Sequence, residues 1–194
     1  MNYCYKTDWQ EAKQRMQDWW EGKKVDRAIA RITAPLPSPD TPRSTKMISE
    51  VPGIYTDPEI IFNNLNCTLE HTFWGAEAFP RHFVYLGPMF AAACLGCRPV
   101  FTENTTWYES PYKNLDDLVE NFRFDEKNEW WRLLNKITDL SARRSHGQYV
   151  VTQNNICNII DILAELIGTE NLLVAMMEEP EKVKSIRDKI AALG

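Results

Sequence analysis

Cysteine and histidine are the side chains of this sequence that could bind a metal ion or carry out redox chemistry. Cys94 and Cys97 are separated by two residues, a spacing found in zinc sites and in redox-active pairs. Zinc would need two further ligands, which Cys67 and His71 could supply only if the fold brought them close. The pair comes near the end of a short apolar segment, whereas a redox-active thiol favours the start of a helix. We therefore predict two small buried thiols, reduced and without a metal ion.

The histidines are the groups whose ordinary pKa lies near neutrality, and there are three of them: His71, His82 and His146. None has a nucleophile at a spacing typical of a catalytic set. Their neighbours place them on a helix, at the start of a strand and in a turn, so we expect structural or surface roles. The tryptophans at positions 9, 19, 20, 130 and 131 follow helical spacing, which predicts core packing and not a cofactor site.

The composition is that of a globular protein and argues against several classes of function. Of 194 residues, 44% are hydrophobic and 25% are charged, with a net charge of -5. Lysine and arginine are scattered and form no basic stripe, so we expect no nucleic-acid partner. No apolar run approaches the roughly 18 residues needed to cross a bilayer, and no signal peptide is visible, so we expect no membrane partner. The odd count of five cysteines is typical of reduced thiols in a cytoplasmic protein.

Hydrophobic periodicity predicts an α/β chain in which helices and strands alternate. Strands are predicted at residues 27–33, 82–86, 98–102 and 148–152. Helices are predicted at residues 9–21, 58–72, 89–95, 126–144, 156–167, 169–177 and 181–193. We interpret residues 1–194 as a single domain that contains a long proline-rich loop at 35–56.

Alternation of this kind implies parallel strands joined by crossover helices. Four strands are visible, whereas a complete eight-stranded barrel needs about 250 residues. The sequence therefore predicts the N-terminal part of a (β/α)8 barrel of the TIM type, with an N-terminal helix and a C-terminal helical stretch. Four strands leave two sheet edges open, so we also expect self-association, as a homodimer, or a requirement for a C-terminal half.

Barrel enzymes carry their chemistry on the loops that follow the carboxyl ends of the strands. Acid or base chemistry there could come from Glu103 and Glu109. The positions expected to bind a ligand are Thr33, Gly87, Trp107, Tyr108, Gln153, Asn154 and Asn155. The alternative is ordinary loop chemistry, and for Gln153 to Asn155 it is capping of the following helix.

Several segments of the chain resemble the uroporphyrinogen decarboxylase superfamily, in its uncharacterised bacterial branch. The segments are WEGKKVDR at 20–27, LGP at 86–88, ACLG at 93–96, VFTE at 100–103 with Trp107, and FDEKNEWW at 124–131. The sharpest are DILA at 161–164, GTENLL at 168–173 and EPEKV at 179–183. The resemblance covers nearly the whole chain but only the N-terminal half of the family's usual length.

This resemblance implies a barrel protein of the lyase or corrinoid-dependent methyltransferase type, with no cofactor held within this chain. The haem-pathway decarboxylase of the family removes carboxylates from a porphyrinogen by means of an arginine-rich motif and an aspartate. Here those places read ITAPLP at 32–37 and LGP at 86–88. A true uroporphyrinogen decarboxylase is therefore not expected, since a ligand with several carboxylates needs arginine partners.

The family's methyltransferases bind zinc through residues of their C-terminal half. We expect this chain to act on a small or tetrapyrrole-type ligand. The alternative is a non-catalytic ligand-binding or assembly module.

Overall fold

A computed structural model describes residues 5–36, 51, 53–102, 105–152 and 158–193. Its helices are α1 (Trp9–Trp20), α2 (Gly53–Thr56), α3 (Pro58–Glu70), α4 (Phe90–Cys94), α5 (Leu115–Asn121), α6 (Glu129–Ser145), α7 (Ile159–Ile167), α8 (Thr169–Glu178) and α9 (Pro180–Ala191). Its strands are β1 (Arg31–Pro35), β2 (Thr72–Ala76), β3 (Arg81–Phe83), β4 (Arg98–Phe101), β5 (Thr106–Glu109) and β6 (Val150–Thr152). The described chain is thus a mixed α/β structure, as the sequence predicted.

The described strands form three sheets of two strands each. β1 pairs antiparallel with β2, and β4 pairs antiparallel with β5. β3 pairs parallel with β6, so that Arg81 lies opposite Val150 and Phe83 lies opposite Thr152. Within the described residues no sheet closes into a barrel, and the predicted parallel pairing is found between β3 and β6 alone.

Four elements differ from the sequence prediction. α2 lies within the predicted proline-rich loop at 35–56, and α5 was not predicted. β5 occupies the segment predicted as a loop, and β2 follows α3 where the predicted helix was still ending. β2 and β5 contain aromatic residues but also glycine or charged residues, so the alternation of apolar and polar residues that predicts a strand is weak in both. Their hydrogen bonds come from a partner strand, and such tertiary context overrides local propensity.

The described chain divides into two compact units, the first of which comprises Met1–Val84 and Ile137–Thr152. Its core lies between α3 and β2, where Phe62, Leu65 and Leu69 are buried with Trp74. The start of α3 is fixed by Asp57, whose side chain accepts the backbone N–H of Glu59 at 2.8 Å. This unit therefore has an apolar core and a capped helix of its own.

The second unit comprises Tyr85–Lys136 and Gln153–Gly194. Its core centres on α7, whose Leu163, Leu166 and Ile167 are fully buried. Around them pack α5, through Leu118, and α9, through Ile186. The spacing of apolar residues at three and four positions predicted this helix, because that spacing places them on one face.

Two of the tryptophans do not pack as predicted. Trp19 and Trp20 are exposed, and the side chain of Trp20 keeps 83% of its accessible surface. α1 buries only Ala12, so its last turn extends past the apolar surface that the helix covers. The prediction that these two side chains lie in the core was wrong.

None of the described helices has the length and apolar content required to cross a membrane.

Candidate functional site

The turn that follows Leu86 has an unusual backbone conformation. Gly87 has φ +113°, and Met89, which precedes α4, has φ +53°. A positive φ costs a residue with a side chain of order 1 kcal/mol or more, and it persists only where neighbouring contacts enforce it. Strained backbone of this kind is found preferentially at functional sites. The turn at residues 86–89 is therefore the first component of the candidate site.

The hairpin of β4 and β5 presents two different faces. In the antiparallel register Val100 lies opposite Trp107, and Arg98 lies opposite Glu109, so these four residues share one face. The other face carries Pro99, Phe101, Thr106 and Tyr108. We call the first the outer face and the second the inner face of the hairpin.

The inner face of the hairpin contacts the turn. The hydroxyl of Tyr108 donates to the carbonyl oxygen of Pro88 at 2.5 Å. A Cβ added at Gly87 would lie 2.6 Å from Thr106 Oγ1 and 3.6 Å from the hydroxyl of Tyr108. Thr106 is 4% exposed, and its hydroxyl has no hydrogen-bond partner among the residues that the structure describes. Only glycine fits this close approach, and the structure thus brings the predicted residues Gly87 and Tyr108 together.

The outer face of the hairpin is open. Trp107 is 67% exposed, and the neighbouring Val100 is partly exposed. The carboxylate of Glu109 accepts the Nε–H of Arg98 at 2.7 Å. An exposed indole next to an ion pair can hold a flat apolar ligand by stacking. The predicted residues Trp107 and Glu109 therefore share a surface, and Gly87 lies against the opposite face.

The other predicted site residues are not part of this arrangement. Thr33 lies exposed on β1 of the first unit, opposite Trp74. Glu103 and the amide residues Gln153, Asn154 and Asn155 lie outside the described residues.

The thiols of Cys94 and Cys97 are both buried. Burial raises the pKa of each thiol to about 12, so neither is a thiolate at neutral pH. The Sγ–H of Cys97 donates to the backbone oxygen of Glu165 at 3.4 Å. Across the described ranges no group of three or more histidine, cysteine, aspartate and glutamate side chains could hold a metal ion. The two thiols therefore behave as apolar core side chains.

The sequence did not indicate a buried histidine–serine contact in the first unit. Nδ1 of His82 lies 2.6 Å from Oγ of Ser141, and the hydroxyl of Tyr149 donates to the Ser141 carbonyl oxygen at 3.1 Å. Burial lowers the pKa of His82 to about 4, so the ring is neutral at physiological pH. Ser141 is fully buried, so no substrate reaches its hydroxyl, and we assign the contact a structural role.

A second contact that the sequence did not reveal surrounds the buried carboxylate of Glu77. Arg27 donates to both of its oxygens, at 2.6 and 2.8 Å, and Arg15 and the N–H of Ala30 donate at 3.0 and 2.9 Å. Burial by itself raises the pKa of Glu77, but these hydrogen bonds lower it to about 2. The partners are 47 to 62 positions away in the chain, so no local motif could have identified them.

A shallow groove of about 460 Å³ lies beside this contact, between α1 and the turn that follows it. Three carboxylates and two cations line it, among them Arg15 and Asp26, which bind each other at 2.7 Å. Because these opposite charges are close together, the groove has no strong preference for an anion or a cation.

Comparison of the chain with models of protein families, with curated proteins and with solved structures found no match.

Proposed function

We propose that this chain is the N-terminal part of a (β/α)8 barrel like that of the uroporphyrinogen decarboxylase superfamily. The observation that carries the proposal is the parallel pairing of β3 with β6, because adjacent parallel strands separated by helices are the repeating unit of such a barrel. In that fold the chain just after a strand forms the ligand site. The turn at residues 86–89 begins three residues after the end of β3 along the chain, which supports its assignment as the ligand site in this proposal.

The turn and the hairpin have different roles in this proposal. The turn anchors the hairpin through the contacts of Gly87 and Pro88 with its inner face. The hairpin in turn presents Trp107 to solvent. A flat, largely apolar ligand of the tetrapyrrole type would stack on this indole, because aromatic rings pair favourably when offset or tilted.

Porphyrin binding tests this role of Trp107. Protoporphyrin IX and cobalamin are titrated separately with the protein, and binding is followed by the change in the ligand's visible absorbance. We expect Trp107→Ala to weaken binding of at least one of the two ligands tenfold or more. Trp20→Ala is the matched control, since it removes a similarly exposed indole from α1. Equal affinities in the wild type and Trp107→Ala, or no binding by the wild type, would reject the proposed site.

The proposed reaction class is that of a lyase or a corrinoid-dependent methyltransferase when the barrel is complete, and not uroporphyrinogen decarboxylation. Gly87 stands at the place of the family's aspartate, and a side chain there would meet Thr106. We expect the purified chain to decarboxylate uroporphyrinogen no faster than the uncatalysed background. Turnover above that background would contradict this expectation.

A second candidate function is ligand binding without catalysis. It is favoured because the polar groups near Trp107 already have hydrogen-bond partners. The carboxylate of Glu109 is bound by Arg98, and the hydroxyl of Tyr108 donates to the carbonyl oxygen of Pro88. Neither group is placed to take a proton from a ligand. Recovery of the bound ligand unchanged after long incubation would favour this alternative, and chemical conversion of the ligand would favour the enzyme.

A further inference from the structure

The helix α8 exposes an apolar surface that its own unit does not cover. Its inner side is packed, with Leu172 and Ala175 buried in the core of the second unit. Its outer side carries Leu173, which is 58% exposed, and Met177, which is 84% exposed, with the half-exposed Val174 between them. Neighbouring exposed apolar side chains on one helix are typical of an interaction surface.

The spacing of these residues fits a helical partner. Leu173 and Met177 are four positions apart and form one ridge along the helix, and Val174, three positions before Met177, lies on the same face. A ridge of this kind packs into the groove between the side-chain rows of a second helix. Methionine adapts its shape to such a partner because its side chain is unbranched and polarisable.

The charge around the ridge indicates what kind of helix would bind. α8 contains Glu170 and Glu178 but no lysine or arginine. Neither carboxylate forms an ion pair with a residue that the structure describes, whereas Glu179, just after the helix, pairs with Lys182. Glu178 also lies at the C-terminal end of the helix, where the backbone carbonyls already carry partial negative charge. A cation from a partner would therefore stabilise both the carboxylate and the helix end.

We propose that the outer face of α8, formed by Leu173, Val174 and Met177 and flanked by Glu170 and Glu178, docks a basic amphipathic helix of a partner protein. A second copy of this chain would place the same carboxylates against each other, which is unfavourable. An anionic lipid surface would be repelled for the same reason.

Two synthetic helical peptides test the proposal with the full chain. One repeats leucine at helical spacing with lysine on the other positions, and the second has glutamate in place of each lysine. We expect fluorescence anisotropy to detect at least tenfold tighter binding of the lysine peptide to the wild type. Met177→Ser should weaken that binding at least tenfold, whereas Trp20→Ser on α1, which removes an equally exposed side chain, should not.

The contribution of charge is tested separately from that of the apolar ridge. Glu178→Gln should weaken binding of the lysine peptide more than Glu11→Gln, which neutralises an exposed carboxylate of α1. All four substituted positions are exposed, and circular dichroism melts verify that the variants fold. Equal binding of the two peptides, or equal binding by Met177→Ser and the wild type, would overturn the proposal.

Two further measurements exclude other occupants. Light scattering would overturn the proposal if the wild type formed a dimer that Met177→Ser converted to a monomer, because the occupant would then be a second copy. Binding to phosphatidylserine vesicles that depends on Met177 would equally overturn it in favour of a lipid surface. We expect neither result.

Discussion

The substitution Glu77→Gln tests the main ionic contact of the first unit with a minimal change of shape. The wild-type carboxylate is 3% exposed and accepts four hydrogen bonds from Arg15, Arg27 and Ala30. Glutamine keeps one acceptor oxygen but places an NH2 group against the arginine donors. Arg27 then loses the counter-charge of Glu77, while Arg15 keeps only that of Asp26.

The size of the loss follows from the exposure of the two arginines. Removing one partner of a fully buried ion pair costs about 3–5 kcal/mol. The side chains of Arg15 and Arg27 are 22% and 40% exposed, so water takes over part of their solvation. We therefore expect Glu77→Gln to lower the free energy of unfolding by about 2 kcal/mol.

Urea unfolding at pH 7 measures this loss, and Glu11→Gln on the exposed side of α1 is the control, with an expected change below about 0.5 kcal/mol. The dependence on pH supplies a second test. The pKa of Glu77 is lowered to about 2, so its contribution is fully present above the ordinary pKa near 4.5 and is lost as the pH falls towards 2. The difference in unfolding free energy between the wild type and Glu77→Gln should therefore shrink as the pH is lowered from 5 to 3. A loss equal to that of the control, or a difference in unfolding free energy that does not change with pH, would show that the contact of Glu77 with the arginines does not stabilise the fold.

Three other predictions concern single residues. Burial lowers the pKa of His82 to about 4, while an unfolded histidine titrates near 6.5. The neutral ring therefore contributes its full stability above pH 6.5, and the free energy of unfolding should decrease as the pH is lowered from 6.5 to about 4. Urea midpoints should show that fall between pH 6.5 and pH 5, above the range in which the contribution of Glu77 is lost, and His82→Gln should abolish it there. Gly87→Ala should destabilise the protein by more than about 1 kcal/mol, because a Cβ there clashes with its surroundings. The control is Gly22→Ala, where a Cβ meets no atom within 4 Å, and its loss should be smaller. Equal losses of unfolding free energy in urea would contradict the close packing at the turn. Cys94 and Cys97 should be reduced and metal-free, so elemental analysis that found stoichiometric zinc, lost in Cys94→Ser, would contradict their assignment as core side chains.

The sequence predicted the helices well where apolar residues repeat at three and four positions. α7 and α9 begin and end within three residues of their predicted bounds, because each helix covers one face of a core and its pattern records that burial. Strands with a run of branched or aromatic residues, such as β4 and β6, were also predicted at the observed places. The sequence could not predict β5, because its polar and aromatic residues are also typical of a loop.

The candidate site was predicted only in part, and the reason is the same for each missing contact. The sequence singled out Gly87 and Tyr108 as separate positions in two loops that follow predicted strands. That the glycine lies against Thr106 could not be predicted, because Thr106 has no property that distinguishes it from other threonines. Only the pairing of β5 with β4 gives Thr106 and Tyr108 the same face.

The helix-forming periodicities and the mixture of helices and strands could be predicted from the sequence, since they depend on residues close together in the chain. Which strands pair, which carboxylate is bound and which apolar side chains stay exposed depend on contacts that form only in the folded chain. Glu77 and the arginines that bind it are joined across 50 or more positions. Leu172 and Leu173 are adjacent in the chain and chemically identical, yet one is buried and the other is exposed. A side chain's free energy depends on the groups that surround it, and those groups are assembled only when the chain folds.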